Sequence, residues 1–102
     1  MVSDKLLDDV KNYLDKTWEL SDAEKTKLIG MIERGMRTLE DKIGTCDFEG
    51  ETQEKSLLLC YVMYENSGAL DDFFRNYQSE IISLQIDRWV DKNNAKNQGE
   101  TI

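Results

Sequence analysis

Cys46 and Cys60 are the two thiols of this chain, and it contains no histidine. Cysteine and serine nucleophiles are activated by a neighbouring base, so the missing imidazole removes Cys–His and Ser–His catalysis. Most zinc sites go with it. Cys60 lies inside "LLLCYVMY" (57–64), where a thiol serves as a small apolar filler. Cys46 sits in a loop-like stretch with no activating neighbour. The carboxylate pairs Asp8/Asp9 and Asp71/Asp72 are adjacent in sequence, and neighbours one apart do not share a helix face, so no acid–base pair is indicated. Both pairs suit the first turn of a helix, where negative charge is favoured. Gly30 and Gly35 fall within a helical pattern and lack the strand context of a phosphate-binding loop. The stretch "DDFFRNYQSE" (71–80) lacks the alternating oxygen ligands of a calcium loop. The expectation is a non-enzymatic protein with no catalytic residue, no metal site and no cofactor.

The elements must then carry the function through their surfaces. At 102 residues the chain has room for one domain and one core. Its 39% hydrophobic and 33% charged residues describe a soluble globular protein, and no apolar run approaches a membrane span. The start, "MVSDKLLDDV", lacks the basic-then-apolar pattern of a signal peptide. The protein is therefore expected to stay in the cytoplasm where it is made, with both cysteines as thiols. Net charge is -8, from 21 acidic against 13 basic residues, which opposes sequence-reading DNA binding.

The sequence predicts an all-α fold, a compact bundle of about four helices. Proline is absent and glycines act as breakers. A first helix, capped by Ser3 or Asp4, presents Leu6, Leu7, Val10, Leu14 and Trp18 on one face and runs to about Lys16. Ser21-Asp22-Ala23-Glu24 fits a capping box. It opens a second helix whose stripe is Leu28, Ile29, Ile32, Met36, Leu39 and Ile43, and Gly44 stops it. Gly35 lies on the same side as this stripe. It either admits the close approach of another backbone or is simply tolerated. Residues 44–52 read as a short irregular loop, with Phe48 turned back onto the core. The third helix, about Thr52 to Ser67, has apolar residues in every direction and should be the central element.

The stretch "NSGALDDFF" (66–74) then reads as a tight corner. Gly68 ends the third helix, and Leu70, Phe73, Phe74 and Tyr77 fold the fourth back onto the core. That helix is expected from near Ala69 to about Asp91. Its core face continues through Ile81 and Leu84, while Ile82, Ile86 and Trp89 form a second stripe displaced by roughly a third of a turn. Helix one or two could cover this stripe; otherwise it is a contact surface, with Trp89 its anchor. Ile82, Ile86, Trp89 and Gly35 are the candidate partner-contact residues; Gly68, Leu70, Phe73, Phe74 and Tyr77 are the candidate hinge and core. Residues 1–91 are expected to form one helical domain, and 92–102 a polar, flexible tail.

The order of these features resembles the small head–tail connector (adaptor) proteins of tailed bacteriophages and prophages. The resemblance rests on Ala69, Leu70, Asp71, Asp72, Phe73, Phe74 and Tyr77 at the start of the fourth helix. Leu7, Val10, Lys11, Tyr13 and Leu14 carry it in the first. It spans about residues 4–90 and departs in the short loop at 45–52, where relatives can carry longer segments. The resemblance implies a helical, non-enzymatic structural protein that forms a homo-oligomeric ring. It would bind the portal protein and other head–tail joining or tail proteins, and let DNA pass without specific binding. It would sit at the head–tail junction of the virion, with no membrane partner and no cofactor. A ring needs two different patches on each subunit, and the Ile82, Ile86, Trp89 stripe is a candidate half. The acidity would then repel passing DNA, or merely keep the free chain dispersed. The competing reading is a small acidic helical regulatory or adaptor protein of a bacterium or prophage, including a DNA-mimic inhibitor. Interleaved basic residues, as in "EKTK" and "EDK", weigh against the mimic.

Overall fold

The first three helices each begin where a short polar side chain, Ser3, Ser21 or Thr52, satisfies a free backbone amide. In the computed structural model, which describes residues 2–16 and 19–100 (side chains through Asp91), Ser3 is the cap of α1 (Asp4–Tyr13), its Oγ accepting the Leu6 amide at 3.0 Å. α1 stops before the expected Lys16. Asp15 turns into the left-handed region at φ 60°, and the Asp15 and Lys16 amides fold back onto the carbonyls of Asn12 and Lys11. That paired closure ends a helix whatever the apolar pattern beyond it suggests. Leu6, Leu7 and Val10 are buried and Leu14 half-buried, which is the expected face; Trp18 lies outside the described residues.

α2 (Asp22–Ile43) opens with the expected capping box. Ser21 Oγ accepts from the Glu24 amide, and Glu24 Oε1 from the Ser21 amide, both at 3.2 Å. It ends at Gly44, whose φ of 102° a side chain would oppose. Its buried face is Leu28, Met31, Ile32, Gly35, Leu39 and Ile43. Gly35 is buried, and a Cβ there would come within 2.7 Å of Leu58 Cδ1 and Tyr61 Cδ1. The close approach expected at this glycine therefore comes from side chains of the same chain. Gly35 offers no surface to a partner, which corrects its place among the contact candidates.

α3 (Gln53–Asn66), capped by Thr52, packs against each of the other three helices, the last being α4 (Leu70–Glu100). Leu57, Leu58, Tyr61 and Val62 are buried, and Leu59, Cys60 and Met63 half-buried, so the helix is enclosed on most sides as expected. Burying each large aliphatic side chain contributes about 1.5–3 kcal/mol. The preceding loop is held by Asp47, whose Oδ1 accepts the amides of Glu49 and Gly50, while Phe48 is buried against the core.

The corner between α3 and α4 is built by Gly68 at φ 71°. The Gly68 amide donates to the Glu65 carbonyl at 3.1 Å and the Ala69 amide to the Tyr64 carbonyl at 2.8 Å. These bonds satisfy the last carbonyls of α3 and reverse the chain. Phe73, fully buried, then sits among four rings. It stacks on Tyr77 at 5.3 Å and 28°, meets Tyr61 and Phe74 edge-on, and is tilted against Tyr64. Gly68 makes the turn, Phe73 is buried, and Leu70, Phe74 and Tyr77 are half-buried against the core.

α4 runs past the expected Asp91, since nothing in "DKNNAKNQ" (91–98) breaks a helix as proline would. The expected flexibility of 92–102 concerns residues whose side chains, or in 101–102 whose placement, lie outside the described part. At about 1.5 Å per residue, 31 residues make α4 longer than α2 with 22. The radius of gyration of 16.0 Å exceeds the roughly 13 Å of a compact domain this long.

Asp15 is exposed and holds a left-handed conformation that costs an L residue free energy. Asp15→Gly should raise the unfolding free energy by about 0.5–1 kcal/mol, read as a higher urea midpoint at unchanged slope. An unchanged or lower midpoint would show that the turn is not strained.

Candidate partner-docking site

Successive residues of a helix point 100° apart, and this divides α4 into two surfaces. Phe73, Ile81 and Leu84 are buried on one side. On the other, Ile82 is 44% exposed, Ile86 55% and Trp89 66%, with Val90 beside them at 38%. Neither α1 nor α2 covers the stripe. The four side chains together expose on the order of 400 Å², the size at which an apolar patch on a small domain signals a contact surface. Val90 was not among the sequence candidates, although it follows Ile86 by four residues and so shares its face.

What fixes the rotation of α4 is a polar network on its inner side. Arg88 Nη2 donates to Glu54 Oε2 at 2.8 Å and to the Thr45 carbonyl at 3.2 Å. Glu54 Oε2 also accepts the Asp47 amide at 3.1 Å, and Gln85 Nε2 donates to the Lys42 carbonyl at 2.8 Å. Burial pushes the Glu54 carboxyl up, but the Asp47 amide, its own amide and Arg88 outweigh this and hold it below its ordinary value. Next in sequence, Lys55 Nζ donates to Asp9 Oδ2 at 2.6 Å, and Lys5 reaches the same oxygen at 3.3 Å. The Lys55 hydrogen bond lowers the Asp9 pKa against the opposing effect of burial, and Asp9 in turn raises that of Lys55. Lys5 also donates to the Glu49 carbonyl at 2.7 Å. The loop is thus tied to α1 on one side and α4 on the other.

Glu54, Lys55 and Arg88 were not among the sequence candidates. A signal was present. Arg88 follows Leu84 by four residues and Ile81 by seven, so it falls on the buried column of α4, where a lone cation requires a partner.

The stripe adjoins a groove of about 510 Å³ between α2 and α4. Phe74, Ile81 and Ile82 give it apolar walls, and Lys42 and Arg75 stand at its edge. Lys42 Nζ lies over the Phe74 ring, 5.5 Å from its centre. The thiols have different surroundings. Burial, then Glu54, pushes the Cys46 thiol up, which disfavours the reactive thiolate. Cys60 Sγ lies 3.6 Å from the Tyr13 hydroxyl, and this contact is the chief cause that pushes Tyr13 up to about 12. Among the described residues no group of three or more His, Cys, Asp or Glu could hold a metal ion. No helix there is long and apolar enough to cross a membrane. Comparison with protein-family models, with curated proteins and with solved structures finds no match.

Glu54 and Lys55 are equally buried, yet their removal should differ. Glu54→Leu leaves the Asp47 amide and Arg88 without their acceptor and should cost about 2–3 kcal/mol. Lys55→Met keeps the apolar stem and leaves Asp9 with Lys5 and solvent, so it should cost about 1 kcal/mol or less. Urea unfolding of both variants decides this, and equal costs would contradict the asymmetry. The pH dependence has a definite sign. Depressed carboxyls at Asp9 and Glu54 contribute stability that is present above their ordinary values, 3.8 and 4.5, and lost as pH falls through their folded values. The raised Lys55 contributes below its ordinary 10.5 and is lost as pH rises through its folded value. Thermal melts should therefore show a plateau between those limits, with the acid limb flattened in Glu54→Gln.

Proposed function

We propose that this chain is a structural assembly subunit of the head–tail connector type. In this reading copies of it form a ring beneath a portal, dock through the outer face of α4, and let DNA pass without binding it specifically. The protein works by contact and needs no catalytic group or cofactor. One observation carries the proposal: in a chain of net charge -8, the stripe Ile82, Ile86, Trp89 and Val90 is exposed on a helix whose rotation is fixed from its inner side. The resemblance of residues 4–90 to connector proteins supplies the kind of partner. Large aromatic and aliphatic anchors of this sort dominate association energies, and they do so when fully desolvated at the centre of a contact. The acidic remainder of the surface supports the passage of DNA, because like charge keeps a polyanion from adhering.

The reading is tested by mixing the protein with portal rings of the phage or prophage whose genes neighbour its own, followed by electron microscopy and a binding titration. Wild type should decorate the rings. Trp89→Asp and Ile86→Asp should each weaken binding by at least about 30-fold, as expected of central anchors. Unchanged binding by both variants would remove α4 from the contact, and no decoration by wild type would remove the connector reading itself.

A further inference from the structure

We infer that a second copy of this chain is the first occupant of the α4 face, in an antiparallel pair about a two-fold axis. The inference rests on the reading of that face as a docking surface and adds its partner in the free protein.

Charge decides which faces of this molecule can meet. Two copies at -8 each oppose association wherever carboxylates would come face to face. Along the outer arc of α4, from Arg75 to Val90, the exposed residues are apolar or uncharged apart from Arg75 itself; Glu80 and Asp87 point away, about 100° or more from the line of the stripe. From Gln78 to Val90 this arc is free of acids, and the groove beside it is edged by Lys42 and by Arg75, whose guanidinium also meets the Asp72 carboxylate at 3.1 Å.

The stripe and the groove lie on one helix in complementary positions. The groove centres near Gln78 and Ser79, and Trp89 lies ten residues further on, about 15 Å along the axis. Two α4 helices running in opposite directions and centred near Leu84 bring Ile82 of each copy against Ile86 of the other. The same registry brings each Trp89 to the other copy's groove, between Gln78 and the Arg75 guanidinium, which favours an aromatic face. A two-fold axis makes every such contact twice. In an antiparallel pair the groove sides of the two helices fall on the same side, so one registry serves both contacts.

The area is sufficient for a reversible pair. The stripe and groove walls of two copies together remove roughly 1,000–1,200 Å² from solvent, the lower edge of specific interfaces. The pair should form at micromolar concentration and yield to a larger partner surface.

Sedimentation equilibrium of the full chain tests this. Wild type should move from 11.9 kDa to twice that mass across the micromolar range. Ile86→Asp, and Gln78→Glu in the groove, should each weaken the pair at least tenfold while the helical circular dichroism is unchanged; both positions are exposed, so both variants should fold. A wild type that stays monomeric to about 100 µM, well above the expected dissociation constant, overturns the inference. So does a closed ring in place of a dimer, or a dimer indifferent to Gln78→Glu. A monomer that still binds portal rings overturns the pairing and leaves the connector reading intact; a dimer that ignores portal rings does the reverse.

Discussion

Two opposite charges stand side by side in the first turn of α3, and much of the architecture depends on how they are met. Glu54 and Lys55 are each only 7% exposed, and in a helix adjacent side chains project about 100° apart. One therefore reaches α4 and the loop, the other α1. Charges taken out of water are costly unless paired and hydrogen-bonded. The first turn of α3 consequently accepts one arrangement of its neighbours: Arg88 and the Asp47 amide on Glu54, Asp9 on Lys55. A slip of any of these elements by one residue would leave a charge in the core without its partner. The apolar contacts of α3, which point nearly all round it, could accommodate such a slip far more easily.

α4 is held at two places of opposite character. Near its start, Phe73 is locked among four rings behind the Gly68 turn. Three to four turns on, Gln85 and Arg88 bind the end of α2 and the loop by hydrogen bonds. A helix fixed at both points has no rotational freedom left. Its outer stripe cannot roll inward to bury Ile82, Ile86 and Trp89, although that would remove apolar surface from water. The exposure of these residues follows from the same contacts that stabilise the core.

Most of the fold was legible because it depends on local rules. The Ser21 capping box, the Gly44 and Gly68 stops and the buried Phe48 all follow from side chains acting within a few residues. The stripe of Ile82, Ile86 and Trp89 was legible from periodicity, but not whether helix one or two would cover it. The remainder depended on pairing across the chain. Gly35 appeared as a place for close approach, but nothing local says that Leu58 and Tyr61, not a partner, come against it. Glu54 and Lys55 suited a first turn equally well exposed or buried; their burial follows only once Asp9 and Arg88, 45 residues upstream and 34 downstream of Glu54, are brought to them. The early end of α1 turns on Asp15 adopting a conformation that is usual for glycine, so the apolar spacing of Leu14 and Trp18 suggested a longer helix.

The distribution of charge bears on which faces of two such chains can meet. At physiological ionic strength charges further apart than about 8 Å are largely screened, so the total of -8 matters less than what meets at contact. Over most orientations two copies would set carboxylates of α1, α2 and the loop against one another. Among the described residues, the outer arc of α4 from Gln78 to Val90 combines absent acids with exposed aliphatic and indole surface, and Lys42 and the Asp72-paired Arg75 stand at its border. Repulsion elsewhere then does as much to define the contact as attraction within it. The same face would present a portal or another copy with an apolar centre edged by Arg75 and Lys42.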